Sequence, residues 1–187
     1  MNDKFILMGS NKTLLRFAKN PNADETLQYA DFVKGADKFE GQGKGLGRTR
    51  IDTVRAKFNH IVSIATDGKY FYTATVPNNK DKNKFVISKI SLDDCTLSGE
   101  FTPKANRNAG KSLGELYVTS MSFEGGLLYA LSKNHNVIVT IDPKSEEIVA
   151  AVAYPSEITN ARSLFFKDGK INILSYQDGK NMLFELE

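Results

Sequence analysis

Residues 118–153 read VTSMSFEGGLLYALSKNHNVIVTIDPKSEEIVAAVA, and this stretch decides the fold. Turn-forming residues such as Glu124-Gly125-Gly126 divide it into short apolar runs rich in Val, Ile, Tyr and Phe. Each run has about the length of a strand, and they are Val118–Phe123, Leu127–Leu131, Val137–Ile141 and Ile148–Ala153. Such runs, joined by tight turns, are typical of antiparallel strands. The stretch therefore predicts a four-stranded antiparallel meander, whose strands are called a, b, c and d.

The remainder of the chain repeats this meander, which indicates stacked or radially arranged units. The first unit lacks strand a and places b, c and d at Phe5–Met8, Thr13–Phe17 and Thr26–Phe32. The second unit is complete, with strands at Ile61–Thr66, Tyr70–Thr75, Phe85–Ser91 and Thr96–Phe101. The fourth unit lacks strand d and has a, b and c at Ser163–Phe166, Ile171–Ser175 and Met182–Leu186. The predicted fold is all-β, with about four meanders and about 14 strands.

The turns between strands a and b support this register independently. They read Asp67-Gly68-Lys69, Glu124-Gly125-Gly126 and Asp168-Gly169-Lys170 in the second, third and fourth units. Asp-Gly favours a two-residue hairpin because both central positions require a positive φ. Two short patches have a weak helical pattern, and they lie near Asp52–Phe58 and Pro155–Ala161.

Length and composition fit one globular domain over residues 1–187, either complete or cut from a larger protein. The sequence has no run of about 18 apolar residues, so no membrane-spanning helix is predicted. Met1-Asn2-Asp3-Lys4 leads directly into a strand-like run, so no signal peptide is predicted either. Cys95 is the only cysteine, which excludes an internal disulfide and leaves the redox compartment open.

The third unit carries a resemblance to a known family. Val137-Ile138-Val139-Thr140-Ile141-Asp142-Pro143, followed by Glu147-Ile148-Val149-Ala150, resembles the blades of YVTN-type and quinoprotein-type β-propellers. Ile90-Ser91-Leu92-Asp93 stands at the equivalent place in the second unit. The resemblance implies a propeller-like array of meanders, and it favours the bacterial periplasm or cell envelope. Its members include enzymes as well as binding platforms, so it does not decide the function.

Two other architectures stay open at this point. Four blades is the low end for a propeller. The chain is therefore also compatible with a piece of a larger propeller or with a β-sandwich of meanders. The incomplete first and last units predict open strand edges, and such edges invite self-association.

Long loops at 34–60 and 102–117 interrupt the repeat, and loops of that length are usually functional or disordered. In a propeller they share a face with the b–c loop 77–84. Segments 34–57, 77–84 and 102–111 together hold 13 Lys and Arg against 4 Asp and Glu, a charge that could steer an acidic partner. The alternative is a solvated basic surface that salt screens. The predicted partner-binding residues are Lys44, Arg48, Arg50, Lys80, Lys82, Lys84, Lys104, Arg107 and Lys111.

No catalytic, metal-binding or cofactor-binding residue is predicted. The Gly-rich segment 41–48 matches no phosphate-binding pattern, because Leu46 and Arg48 stand where glycine is required. His60 and His135 are the only histidines, and they lack the spacing of metal ligands. The acidic pairs Asp93-Asp94 and Glu146-Glu147 fall in turns, where they typically bond to local backbone N–H groups.

The sequence favours a non-catalytic binding or scaffold module that presents its basic, Gly-rich loops to an acidic protein or envelope polymer. The alternative is a propeller enzyme of lactonase or quinoprotein type. Its polar residues would have to converge on the axis, and the candidates there are Asn59, His60, Glu115 and Asn160. Nucleic-acid binding is disfavoured, because only Phe39 and Phe58 lie among the basic residues as possible stacking partners.

Overall fold

The computed structural model describes residues 5–10, 13–18, 48–50, 61–75, 85–92, 97–105 and 116–186, with backbone only for the first three ranges. These ranges contain strands and no helix, as the sequence predicts. The strands are β1 (Phe5–Ser10), β2 (Thr13–Ala18), β3 (Arg48–Arg50), β4 (Ile61–Thr66), β5 (Tyr70–Thr75), β6 (Ile87–Ser91), β7 (Leu97–Phe101), β8 (Lys104–Ala105), β9 (Val118–Glu124), β10 (Leu127–Ser132), β11 (Val137–Asp142), β12 (Glu147–Ala153), β13 (Ala161–Lys167), β14 (Lys170–Gln177) and β15 (Lys180–Leu186). No helix in the described ranges is long and apolar enough to cross a membrane.

The described strands form four sheets, whose meander strands follow the order of the chain, and β8 is added beside β12 in the third. The first sheet is β1-β2-β3, the second β4-β5-β6-β7, the third β8-β12-β11-β10-β9, and the fourth β13-β14-β15. Within each meander all neighbouring strands are antiparallel. The predicted strands of the second, third and fourth units are confirmed.

The first sheet corrects one element of the prediction. The strand that pairs with β2 is β3, with Arg50 opposite Leu15 and Arg48 opposite Phe17. The sequence analysis placed these arginines in a loop, because a three-residue strand with two charged residues has no apolar pattern. The strand predicted at Thr26–Phe32 lies outside the described residues.

The loop predicted at 102–117 also contains a strand. β8 pairs in parallel with the start of β12, so that Lys104 lies opposite Glu147 and Ala105 opposite Ile148. The backbone N–H of Lys104 donates to the carbonyl of Glu146 at 3.2 Å. The loop therefore begins as a fifth strand on the outer edge of the third sheet.

The tight turns have the predicted chemistry in the third and fourth sheets. Asp168 and Gly169 both adopt a positive φ, of 52° and 77°, and Gly125 and Gly126 do the same. The turn Asp67–Lys69 is closed differently, because the carboxylate of Asp67 accepts hydrogen bonds from the backbone N–H groups of Lys69 and Tyr70 at 2.9 and 2.6 Å. Here only Gly68 has a positive φ.

The weak helical pattern near Pro155–Ala161 does not form a helix. Pro155 and Ile158 form an isolated turn, closed by the N–H of Ile158 donating to the Pro155 carbonyl at 3.0 Å, and Ala161 begins β13. A neighbouring strand outcompetes the short helical pattern here, because Gln177 on β14 donates through Nε2 to the Glu157 carbonyl at 3.0 Å. The other helical patch, Asp52–Phe58, lies outside the described residues.

The four sheets stand in a row, each in contact with the next through its first strand. β1 lies beside β4, β4 beside β9, and β9 beside β13. One apolar core fills the space between the second and third sheets, with Ile87 and Leu128 fully buried in it. A second core lies between the third and fourth sheets and contains Leu131 and Ile173. Each such side chain contributes roughly 1.5–3 kcal/mol of apolar burial, so the sheet faces hold the row together.

Tyr72 joins the first of these cores to a turn. Its ring stacks on that of Phe123 in the third sheet, with the centroids 6.1 Å apart. Its hydroxyl donates to the Asp67 carboxylate at 3.0 Å. Burial, and then the hydrogen bond to Asp67, raise the pKa of Tyr72 far above its ordinary value, so the hydroxyl stays protonated and continues to donate in alkaline solution where an exposed tyrosine ionises. Above about pH 10 this tyrosine ionises in the unfolded chain before it ionises in the folded one. The stability that the Tyr72 hydroxyl contributes therefore falls as pH rises above about 10.

Candidate functional site

A groove of about 400 Å³ runs along the first strands of the second, third and fourth sheets. It is lined by Val62–Ile64 of β4, Thr119–Met121 of β9, and Ser163 and Leu164 of β13. These are equivalent positions in the repeat, because each set includes the third and fourth residues of its strand. The groove is therefore a product of the repeat itself.

A β-bulge occurs at the same place in all three of these strands. The pairing skips one residue between Ile61 and Ser63, between Val118 and Ser120, and between Ala161 and Ser163. The extra residues are Val62, Thr119 and Arg162. A bulge breaks the regular ladder and bends the strand, which turns backbone groups toward a neighbour outside the sheet.

The serine that follows each bulge connects one sheet to the next. The backbone N–H of Met121 in the third sheet donates to Ser63 Oγ in the second sheet at 2.6 Å. The N–H of Leu164 in the fourth sheet donates to Ser120 Oγ in the third at 3.0 Å, and Ser120 Oγ lies 3.3 Å from the Leu164 carbonyl, to which it can donate. The two serines thus each accept a backbone N–H group from the first strand of the following sheet.

Among the described residues that line the groove, none carries a group that acid–base chemistry needs. These lining residues are apolar or carry hydroxyls, and the hydroxyls of Ser63 and Ser120 already bind backbone. The described residues hold no group of three His, Cys, Asp or Glu side chains that could bind a metal ion. Thr119 Oγ1 is buried in the groove without a hydrogen-bond partner. The groove therefore lies where neighbouring sheets bind each other, and among its described lining residues the buried hydroxyl of Thr119 is the one without a hydrogen-bond partner.

Replacing Ser120 with alanine is expected to lower the free energy of unfolding by about 1–3 kcal/mol, because the buried N–H of Leu164 loses its acceptor. Urea denaturation followed by far-ultraviolet circular dichroism measures the change. Ser156→Ala is the matched control, since Ser156 is exposed in a turn and its loss should cost less than about 0.5 kcal/mol. Equal costs for both variants would contradict the role of Ser120 between the sheets.

The connections that leave strand d lie on the same face as the turns between strands b and c. In the third sheet, the N–H of Tyr154 donates to the Asn136 carbonyl at 3.3 Å, and the N–H of Tyr117 donates to Asn134 Oδ1 at 2.8 Å. In the fourth sheet, Gln177 Oε1 accepts the N–H of Thr159 at 3.1 Å. We call residues 116–117, 133–136, 154–160 and 177–179 the connection face.

Asn160 is the described member of the polar set expected near the axis, and it binds within the connection face. Its Nδ2 donates to the Tyr176 carbonyl at 2.8 Å, and its Oδ1 accepts from Lys133 Nζ at 3.4 Å. The side chain thus ties the start of β13 to β14 and to the neighbouring sheet. Asn59, His60 and Glu115 lie outside the described residues.

No protein-family model and no curated protein matches the sequence. Solved structures with a similar fold include the nidogen/laminin complex, with a TM-score of 0.58, 11% identity, and coverage of 96% of this chain and 56% of that chain. The mitotic checkpoint complex matches with a TM-score of 0.56 and 8% identity over 97% of this chain and 43% of that chain. Sqt1 of Saccharomyces cerevisiae matches with a TM-score of 0.52 and 14% identity over 99% and 41%.

These neighbours decide the architecture. The fold is propeller-like. The sheets are its blades, and the strands beside the groove are the innermost strands of the blades. At such low identity the likeness shows the fold alone, and the expected finer resemblance to YVTN-type blades stays a prediction. The chain spans about half the length of these matched structures.

The structure describes few of the nine predicted partner-binding residues. Lys104 is exposed on β8, at the outer edge beside the turn that precedes β12, and this place differs from the connection face. Arg48 and Arg50 belong to β3, where only their backbone is described. The residues outside the described ranges are Lys44, Lys80, Lys82, Lys84, Arg107 and Lys111. Partner binding by this set, and its gathering on one face, stay predictions.

The remaining polar candidates are spread over separate turns. His135 is exposed in the turn between β10 and β11, whereas Glu146 and Glu147 lie where β12 begins. The N–H of Glu146 donates to the Asp142 carbonyl at 2.9 Å, and Glu146 has a positive φ of 62°. Asp93, Asp94 and Cys95 lie outside the described residues.

Sequence reasoning missed the serines that follow the three β-bulges. The signal is present, because Val62-Ser63-Ile64, Thr119-Ser120-Met121 and Arg162-Ser163-Leu164 all place a serine third in the strand and an apolar residue fourth. Aligning the first strands of the units, rather than their turns, would have shown it. That the serine accepts from the next unit follows only from the packing of the sheets.

Proposed function

We propose that this protein is a non-catalytic binding or scaffold module of propeller type, which presents basic loop residues to an acidic protein or polymer. The protein binds its partner through the exposed surfaces of the blades and their loops. A binding platform of this kind needs a rigid array of sheets and exposed loops, with no reactive constellation at its centre.

The observation that carries the proposal is the chemistry of the groove between the blades. The groove is the place where a propeller enzyme would gather its polar residues. Here Ser63 and Ser120 are committed to backbone N–H groups of the adjacent blade. A nucleophilic serine requires a neighbouring base within hydrogen-bond reach. No histidine or carboxylate is among the described residues that line this groove.

The similar structures support a role in assembly by analogy of fold. Two of them are complexes, one of nidogen with laminin and one of the mitotic checkpoint. At identities of 8–14%, the partners of those proteins do not indicate which partner this chain binds. The acidic character of the partner rests on the charge of the sequence, where segments 34–57, 77–84 and 102–111 hold 13 basic and 4 acidic residues.

The test is binding of poly-L-glutamate to the immobilised full chain at low and moderate salt. Wild type should bind, and binding should weaken with salt, because exposed charges are screened. Arg48→Glu combined with Arg50→Glu should slow association roughly tenfold through loss of electrostatic steering. Since β3 carries these arginines, the triple variant Lys80→Glu, Lys82→Glu, Lys84→Glu repeats the test outside that strand.

The matched control is Lys144→Glu with Lys167→Glu, which changes the net charge by the same amount as the arginine pair. Both lysines are exposed in or beside turns, and neither belongs to the predicted binding set. This variant should retain most of the binding. If it loses as much as the arginine pair, attraction depends on net charge alone and the proposed surface is wrong. Absence of binding by wild type would overturn the acidic partner.

A further inference from the structure

Among the described strands, the outer edge of the third blade is open along the second half of β12. β12 pairs with β11 throughout, whereas β8 covers only its first two residues, Glu147 and Ile148. The extra residue of a β-bulge, Val149, follows directly, and the ladder with β8 stops there. Residues 150–153 return to a regular register with β11, and no described strand pairs with their other side. We call residues 150–153 the open edge.

The open edge lacks the residues that usually protect an exposed strand. An unpaired edge presents backbone N–H and C=O groups to any other chain, and natural proteins protect such edges with charged residues or proline. β15, the last described strand of the fourth blade, carries Lys180 and Glu185, and β7 of the second blade carries Glu100. The open edge reads Ala-Ala-Val-Ala, with neither charge nor proline. Of these three edges it is therefore the one most suited to accept another strand.

Two exposed apolar side chains lie on facing surfaces at this rim. Val152 is 62% exposed and pairs with Ile138, a member of the core between the third and fourth blades. Met182 is 40% exposed and alternates along β15 with Phe184 and Leu186, which pack against the same core. Each residue thus extends the surface of one blade outward from that core. The core is buried at its centre and ends in exposed apolar side chains at the rim, which is a mark of an interaction surface.

The opposite side of the open edge carries only small side chains. Ala151 and Ala153 lie opposite Val139 and Val137, on the side of the core between the second and third blades. A methyl group leaves room beside it, so a strand added along the open edge can place larger apolar side chains on this side as well. Both sides of the open edge therefore favour apolar residues in whatever strand is added.

The size of the open edge favours a peptide segment over a second folded domain. At roughly 3.3 Å per residue, four residues span about 13 Å. A stable contact between two folded proteins buries about 800 Å² on each partner, which a rim of this length does not offer. An extended peptide needs less area, because its main chain bonds directly to the strand that it joins.

We propose that the open edge binds an extended segment of another protein as an added β-strand with apolar side chains at alternate positions. Main-chain hydrogen bonds hold such a strand, and the exposed Val152 and Met182 select apolar residues on the side that faces the fourth blade. β8 shows the same mode of pairing within this chain, since it adds a strand to the first residues of the same edge. The proposal is independent of the acidic partner proposed above, because the open edge carries no charge.

The experiment measures binding of a short fluorescent peptide, in which valine alternates with threonine, to the full chain by fluorescence anisotropy. Wild type should bind it saturably. The same peptide with every backbone nitrogen methylated should bind at least about tenfold more weakly, because it has lost the donors that an added strand uses. Val152→Lys should weaken binding by a similar factor, since it places a charge in the apolar contact. Val152 is exposed, so this variant should keep the circular dichroism of wild type.

Ser98→Lys is the matched control, because it adds the same charge at an exposed position of β7, on the outer edge of the second blade. It should bind the peptide as wild type does. A peptide that fails to bind wild type overturns the proposal. Binding that survives either backbone methylation or Val152→Lys overturns it as well, since strand addition at the open edge requires both the donors and the apolar contact.

Amide hydrogen exchange and light scattering on the free chain test whether the open edge is available. Those N–H groups of residues 150–153 that do not bond to β11 should exchange rapidly and should become protected when the peptide binds. Protection in the free chain would mean that the edge is already covered, and the proposal would be wrong. A dimer that Val152→Lys dissociates would assign the edge to a second copy instead, which also contradicts it.

Discussion

Replacing Leu131 with alanine is expected to lower the free energy of unfolding by about 2–5 kcal/mol. Leu131 is fully buried in the core between the third and fourth blades, beside Ile138 and Tyr154. The fourth blade has three strands, so few other groups can move in to fill the cavity. The cost should therefore lie in the upper part of that range. Urea denaturation monitored by circular dichroism measures it.

Val152→Ala is the control for this substitution. Val152 is an aliphatic residue of β12 that is 62% exposed, and its truncation should cost less than about 0.5 kcal/mol. A Leu131→Ala cost below about 1 kcal/mol would mean that the fourth blade does not cover the third. The denaturant slope gives a second check, because a detached fourth blade would also lower it.

Replacing Phe71 with alanine is expected to cost about 3–5 kcal/mol. Phe71 lies on β5 opposite Ile90, and both side chains are fully buried on the face of the second blade that points toward the first sheet. An aromatic side chain of this size leaves a large cavity when truncated. The prediction therefore tests the coverage of the second blade by the first sheet.

Phe71→Leu separates the loss of volume from the loss of the ring. It keeps most of the apolar volume, so its cost should stay below about 1.5 kcal/mol. Thermal unfolding of the two variants beside wild type shows whether the order holds. Equal small costs for both would show that this face is open to solvent, and the first sheet would then not belong where the structure places it.

Much of the fold could be predicted because its strands are local in sequence. The turns Asp67–Lys69, Glu124–Gly126 and Asp168–Lys170 mark hairpins whose partners lie within a few residues, and period-two apolar runs define the strands beside them. All of these hairpins are confirmed. The turn Asp178-Gly179, with both residues at a positive φ, joins β14 to β15 by the same chemistry.

The sequence-based predictions failed for contacts between residues that are distant in the chain. β3 is a strand because β2 offers it an edge, and nothing in Arg48-Thr49-Arg50 encodes that partner. β8 is held by Glu146 and Glu147, about forty positions further along the chain. The failed helix at Pro155–Ala161 has a similar cause, because Gln177 and Asn160 fix that segment against a strand that follows it. Local propensity is a weak guide where tertiary contacts compete.

The candidate site was less accessible to sequence reasoning than the fold. Charge counting identified basic loops, but it cannot show which of them share a surface, and Lys104 lies on the outer edge of a blade. The positions of these serines can be read from the sequence, but their role cannot. Their role depends on a bulge, and a bulge is a shift of register that only the paired strand reveals.

The serine contacts also determine which blades are directly coupled to each other. Within a blade, hydrogen bonds join strands that are close in sequence, whereas Ser63–Met121 and Ser120–Leu164 join residues 58 and 44 positions apart. Within the described ranges, these two contacts each join a blade to the blade that follows it. Such a chain behaves as a one-dimensional series with nearest-neighbour coupling, in which disorder enters at an end and spreads inward.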